Sequence, residues 1–413
     1  MATIFPFQPY RYSPKAGPLQ DLVTQPYDKI SPEMRQRYRE ASPYNLVRVI
    51  LGDRNPQDSE SDNVYTRAAA YLDTWIAEGI LARDAGPGLF AYFQEFTVPD
   101  SGERLVRKGF IGLGAVEDYS ANVVYRHEQT LSGPKKDRLD LLRHTHAHFG
   151  QLFMLYPDPA GEIDALLDQA AQALPLGAVT DEYGARHSFW KISSAEAIAA
   201  IRQRMADKKL LIADGHHRYE TALAFHRENP ALPGADRVMM TFVNMHSPGL
   251  KILATHRLVS GLPHFDPGEF IRQAAAGFEV AQIPSLEALQ RVWTDSPDRP
   301  IIGAAIAGRL YLIEARDSAG QLDVAILHDR LLRGLLGIGE EAVRDEKNLR
   351  YIRGLDAAVA EARSGAAQIA FLLKPVSVEA VARISFGGGV MPQKSTDFYP
   401  KLLSGLTIYR LER

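Results

Sequence analysis

The sequence predicts a mixed α/β protein, α+β in the order of its elements, built as two lobes. Three observations carry this expectation. Apolar runs of strand length alternate with segments of helical period along the whole chain. Its 413 residues exceed the size at which a single core stops growing. Proline and glycine cluster at NPALPG and at SGLPHFDPGE, which places a lobe boundary near residue 262. A main lobe is expected over 1–262, carrying a phosphate-binding strand-to-helix corner. A second α/β lobe is expected over 263–413, with a C-terminal segment that returns to that site.

Residues 1–63 are rich in Pro, Tyr and Arg and read as a loop-heavy opening, with VRVIL as a short strand. A helix follows over about 63–79. Strands are expected at 89–97 and 107–117, joined into a hairpin by a turn at Asp100, Ser101 and Gly102. KKDRLDLLRHTHAHF places Leu139, Leu142 and His146 on one helical stripe, and QLFMLY has the continuous apolar character of a buried strand. In KKLLIADGHHRYETALAFH an apolar strand ends in Asp-Gly, and Tyr219, Ala222, Leu223 and His226 then repeat at the spacing of one buried helix face. Beyond residue 262, FEVAQI, IIGAAIA, LYLIEA, AQIAFLLK and LTIYRLE read as strands of the second lobe.

Lys+Arg of 47 against Asp+Glu of 50 leaves a formal charge of −3, so no global basic field recommends a nucleic acid or an anionic membrane as partner. The absence of cysteine excludes disulfides, thiolate metal sites and a Cys nucleophile. MATIFPFQPYRYSPK has prolines where a secretory apolar region would stand, and no apolar run approaches membrane-spanning length. A cytoplasmic location is expected.

The corner at residues 214–218 is the strongest chemical signal. The first N–H groups of a helix lack internal partners and carry the positive end of its dipole, so this is an anion site in waiting. Asp214 or Gly215 caps the helix, Arg218 supplies a bidentate phosphate donor, and His216 and His217 are imidazoles that titrate near neutrality. In RHEQTLSGPKKDR a helix begins with Lys135, Lys136, Asp137 and Arg138; cations oppose the dipole there, and a bound anion would account for them. Glu128, beside His127, is a candidate acid or base. FGGGVMPQKSTDFYPK offers Lys394, Ser395, Thr396 and Lys401 without Walker A spacing. ATHRLV offers His256 and Arg257, which strand alternation points to opposite faces, and QPYDKIS offers Asp28 as base or magnesium ligand.

Two signals are set aside. Gly112 and Gly114 invite a dinucleotide reading, but the third glycine and the glycine-led helix are missing. His144, His146 and His148 resemble a metal cluster, yet on a helix only His144 and His148 would share a face.

The set PYDKIS, RHEQTLSGPKKDRLDLL, ADGHHRYETAL, THRLV and MPQKSTDFYPKLLSGL, in this order over nearly the whole chain, resembles the domain-of-unknown-function family 1015. Glycine followed by His-His-Arg at a helix start also resembles the phosphate-binding corner of the ParB and sulfiredoxin superfamily, which implies a mixed-sheet core. Sulfiredoxin chemistry is excluded, because His216 stands where its cysteine would be. The family resemblance implies a kinase that makes O-phospho-L-serine from free serine with pyrophosphate, ADP or ATP as donor. Phosphoryl transfer of this kind uses Mg²⁺. On this reading Asp214, Gly215 and Arg218 receive the transferred phosphate, and Lys135, Arg138, Lys394 and Lys401, with Ser395 and Thr396, hold the remaining donor oxygens. Glu128, Asp28 and His216 are the contending bases, with His217 beside them, and Arg48 or Arg257, with His256, would hold the acceptor. Alternatives are a ParB-like nucleotide switch and a hydrolase of phosphate esters or pyrophosphate. No helix-turn-helix with a basic recognition helix supports the switch.

Overall fold

The computed structural model describes residues 2–99, 101–128, 132–316, 318 and 320–412, with the side chains of 132–134 outside the description. The chain forms two compact units, Met1–Lys251 with Pro400–Arg413, and Ile252–Tyr399. The boundary expected near residue 262 thus falls earlier, and the chain leaves the second unit again at residue 400. The cause is strand pairing. His256–Val259 hydrogen-bonds to Leu349–Ile352 and Ile369–Leu372, so it belongs to the second unit's sheet. The Pro/Gly-rich SGLPHFDPGE is therefore a loop inside that unit, leading into the helix Pro267–Gly277.

The first unit is organised by a nine-stranded mixed sheet. Its order runs Val124–Tyr125, Leu210–Asp214, Leu152–Tyr156, Arg237–Asn244, Arg104–Ala115, Leu89–Thr97, Arg186–Ile192 and Gly177–Thr180, with Ile4–Phe5 pairing Arg104–Ala115 off this path. The expected hairpin is present, with Phe90 opposite Ile111 and Thr97 opposite Arg104, while Asp100 of its turn lies outside the described residues. The strand LLIAD runs parallel to Val124–Tyr125 and antiparallel to Leu152–Tyr156. Its residues 210–213 are buried, as suits a central strand covered on both faces. Ile212, Met154, Met240 and Phe242 share one core cluster with Tyr219 and Ala222 of the following helix, so burial of that helix face fixes the corner against the sheet.

Glycines in Arg104–Ala115 serve packing, which agrees with setting aside the dinucleotide reading. A Cβ on Gly109 would lie 2.6 Å from the Phe242 carbonyl oxygen, and one on Gly112 would lie 2.8 Å from Leu89 Cδ2.

Three expectations are corrected here. VRVIL is not a strand: Val47–Ile50 is a short helix, begun where Asn45 Oδ1 accepts from Val47 N at 2.9 Å. A brief apolar run has no period that separates the two states, and the asparagine decided it. The helix Ser132–Thr145 ends before His146, whose φ is +50°, and Ala147–His148 is a strand, so His144 and His148 share no helix face. LTIYRLE contributes Tyr409–Arg410 to the first unit rather than the second, paired with Ala147–His148.

The second unit has a six-stranded sheet in the order Phe278–Ile283, Arg309–Ala315, Ile301–Ile306, Ile369–Leu372, His256–Val259, Leu349–Ile352, with every pair antiparallel. Apolar clusters that include Ile302, Ile313, Phe371, Leu327 and Leu331 on one side and Leu258, Leu289, Ala358 and Leu372 on the other show that helices cover both faces. Among the described residues no helix is long and apolar enough to cross a membrane.

Candidate functional site

Gly215 joins the strand Leu210–Asp214 to the helix His216–Glu228 with φ at +98°, a conformation that only glycine adopts without strain. Among the described residues no side chain caps the helix start, which leaves its first N–H groups for a ligand. A Cβ at Gly215 would lie 2.9 Å from Leu152 Cδ2 and 3.0 Å from Arg218 Nη2. The close approach therefore also sets where the Arg218 guanidinium lies.

Asp214 faces this mouth as the centre of a charge cluster. Arg218 Nη2 donates to Asp214 Oδ2 at 2.7 Å and Arg218 Nη1 to the Gln151 carbonyl at 2.6 Å, while Lys401 Nζ lies 3.4 Å from Asp214 Oδ1. Burial pushes the Asp214 carboxyl up, but Lys401, Arg218, Lys29 and His216 together outweigh it and hold the group well below the usual carboxylate range. Asp214 is thus a fixed anion that orients two cations. Lys401 is fixed in turn, since its carbonyl accepts from Gln94 Nε2 at 2.8 Å. Buried Arg107 donates to Gln94 Oε1 at 2.9 Å and to the Pro400 carbonyl.

His216 is buried beside His127, with ring centroids 4.6 Å apart, and its Nε2 accepts from His127 N at 3.4 Å. His127 Nδ1 donates to the Ile212 carbonyl at 2.7 Å, and its Nε2 lies 3.7 Å from Glu128 Oε1. Desolvation and then His127 push His216 down to about 3, against Glu128 and Asp214. It is neutral at pH 7. His217 is also lowered, by burial and by Lys135, with Glu220 and Asp28 opposing; its buried Nδ1 has no hydrogen-bond partner among the described residues.

These mutual influences bring together most of the residues expected at the site. Tyr27 is pushed up by burial and by Asp28, with Arg138 and Arg218 opposing and Asp214 assisting, so all four charges surround one phenol. Arg138 lies 4.2 Å over the Tyr27 ring and bonds Asp137, and Lys135 pairs with Glu220. A cavity of about 70 Å³ opens here, lined by Tyr27, Arg138, Arg218, Leu152, Thr221 and Ser404 among others. Asp28, Glu128, Lys135, Arg138, Asp214, Gly215, His216, His217, Arg218 and Lys401 therefore belong to one neighbourhood.

Other expected residues have bonds of their own. Arg48 is not directed to this site: its Nη2 donates to the Arg39 carbonyl at 2.9 Å and its Nε to that of Ser42 at 3.5 Å, closing the end of the helix Pro32–Ala41. His256 and Arg257 are buried strand residues of the second unit. Arg257 donates to the carbonyls of Thr255 and Lys394, and His256 Nδ1 accepts from Leu373 N at 3.3 Å. These bonds tie both side chains to backbone of the second unit. Lys394, Ser395 and Thr396 also lie in the second unit, where Ser395 Oγ donates to the Pro392 carbonyl at 2.5 Å.

Several contributors were missed by the sequence reading. Glu220 follows His217 by three residues and so shares its helix face, a signal present in HHRYE. Arg107 carried little signal, since Arg104 and Lys108 are charges of the same strand and burial alone separates Arg107 from them. Lys29, Tyr27 and Gln151 carried none. Gln151 holds Arg218 by its carbonyl, and its buried Nε2 has no protein partner.

None of the curated proteins matches this chain. Among solved structures, free serine kinase in complex with AMP is similar at 13% identity, over 70% of this chain and 88% of that one, with a TM-score of 0.40. A conserved hypothetical protein from Pyrococcus furiosus is similar at 15% identity over 68% and 91%, with a TM-score of 0.37. SbnI with a C-terminal truncation, from Staphylococcus aureus, is similar at 10% identity over 72% and 87%, with a TM-score of 0.38. The family model described as protein of unknown function (DUF1015) matches residues 4–334, and the chain belongs to that family.

Proposed function

We propose that the corner is the donor-phosphate site of a small-molecule phosphotransferase that makes O-phospho-L-serine from free L-serine, with pyrophosphate, ADP or ATP as donor. The observation that carries this reading is the uncapped helix start at Gly215, flanked by Arg218 and Lys401 and both cations oriented by Asp214. Phosphoryl transfer asks a protein mainly to position donor and acceptor and to neutralise oxygen charge, and this arrangement does both.

In the proposed reaction the serine Oγ attacks the terminal phosphorus, the P–O bond to the leaving phosphate breaks, and the hydroxyl proton passes to a carboxylate. Two carboxylates stand at the mouth for that role, Glu128 and Asp28. His216, neutral at pH 7 and accepting at Nε2, acts as a positioning group. Arg138 and Arg218 in the cavity suit an anionic group of donor or acceptor.

Among the described residues no group of three or more His, Asp or Glu side chains converges as a preformed cation cage. Mg²⁺ bound through donor phosphates needs only one or two carboxylates, and Asp28, with 41% of its side chain exposed, is the open one. Mg²⁺ would supply charge neutralisation on the donor oxygens.

The test is incubation with Mg²⁺ and free serine, offering pyrophosphate, ADP and ATP in turn, followed by phosphorus NMR. A phosphoserine resonance with one donor is expected. No phosphoserine with any donor, or donor cleavage at the same rate with and without serine, would reject the reading in favour of a binding or hydrolytic role.

A further inference from the structure

A second cleft in the first unit, of about 150 Å³, has no part in the phosphate corner. Its lining includes Thr24, Arg37, Tyr38, Thr180, Glu182 and Leu403. A cavity of about this volume holds a benzene-sized molecule, so the occupant has on the order of six or seven heavy atoms.

The polar groups of the cleft are divided between committed and available. Asp181 is committed: Oδ1 accepts from Tyr183 N and Ala185 N at 2.9 Å each, and Oδ2 takes Gln25 Nε2 at 3.2 Å and His187 Nε2 at 3.1 Å. Four bonds fill its acceptor capacity, so it contributes negative charge and no contact. Among the described residues Glu182 accepts from Tyr38 through Oε1 and from Gln25 Nε2 through Oε2 at 3.1 Å, which leaves lone pairs for a ligand. Thr24, 1% exposed, forms part of the cleft wall. Arg37 stands exposed at the same cleft and supplies the opposite charge.

We propose that this cleft is a second ligand site that takes a small zwitterionic α-amino acid, its ammonium on Glu182, in the negative field of Asp181, and its carboxylate on Arg37. Charges of both signs around a space of this size select a molecule that carries both. Neither a phosphate nor a simple cation satisfies both ends. The inference does not depend on phosphotransfer at the corner, because it requires binding only.

The probe is L-alanine, which has no hydroxyl to phosphorylate, titrated calorimetrically into the full chain without donor or Mg²⁺. Saturable binding is expected, weakened at least tenfold by Glu182→Gln and by Arg37→Ala, and unaffected by excess pyrophosphate. Glu182 and Arg37 are exposed, so their variants keep the fold. Absence of binding, wild-type affinity in Glu182→Gln and Arg37→Ala, equal affinity for ethanolamine, which lacks the carboxylate, or displacement by pyrophosphate would each overturn the proposal.

Discussion

Replacing Arg218 by alanine removes a side chain that ties the anion-binding helix start to Gln151 and to Asp214 of the preceding strand. Its Nη1 and Nη2 make bonds of 2.6 and 2.7 Å to the Gln151 carbonyl and to Asp214, and the pair is largely buried, with 16% and 20% of the two side chains exposed. Hydrogen bonds to charged groups contribute about 1.5–3 kcal/mol each, and 1.4 kcal/mol is tenfold in affinity. Loss of one guanidinium–phosphate contact should therefore weaken pyrophosphate or nucleotide binding by about 10- to 100-fold. Asp214 keeps Lys401 at 3.4 Å on its other oxygen, so the cost to folding should stay near the penalty for one weakened group, about 1–3 kcal/mol. The assay is calorimetric titration of pyrophosphate, ADP and ATP into the variant, with a urea melt to establish that it is folded. Arg218→Lys keeps the charge and loses the fork, and should fall between wild type and alanine. Wild-type affinity in a folded Arg218→Ala protein would remove this corner from the mechanism.

Gly215→Ala should destabilise by about 1–3 kcal/mol, because alanine is strained at positive φ, and should also displace Arg218. A urea midpoint equal to wild type would refute the strain. Glu128→Gln and Asp28→Asn, compared for turnover, should show a loss of about 10²-fold or more in whichever is the base while donor binding persists. Loss in neither excludes both carboxylates, and loss of Mg²⁺ dependence in Asp28→Asn would mark a metal ligand instead. Burial pushes His216 and His328 down to about 3 and His148 and His256 to about 4. Between the ordinary value of about 6.5 and these values the unfolded chain holds more protons, so stability is present above about pH 6.5 and is lost as pH falls towards 4. Urea midpoints that stay level or rise over that interval would contradict this, and His148→Gln should flatten the slope.

Local chemistry made the corner legible in KKLLIADGHHRYE alone. An apolar run, a glycine at the turn and a polar cluster at a helix start report backbone needs that act within a few residues. The hairpin at 89–115 and four of the second unit's strands, Phe278–Ile283, Ile301–Ile306, Arg309–Ala315 and Ile369–Leu372, were legible for the same reason, since alternation and turn residues are short-range properties; Leu349–Ile352 was not read. VRVIL was not, because four apolar residues have no period to read and a neighbouring asparagine chose the helix. Tertiary structure decided what long-range pairing decides. It moved His256 and Arg257 into the second unit's sheet, returned Tyr409 to the first unit, and placed Lys401 on Asp214, 187 residues away in the chain. It also spent Arg48 on helix-end carbonyls and filled every acceptor of Asp181, leaving Glu182 beside it open. A residue's type states what bonds it can make, and only the packed neighbours determine which of them remain available to a ligand.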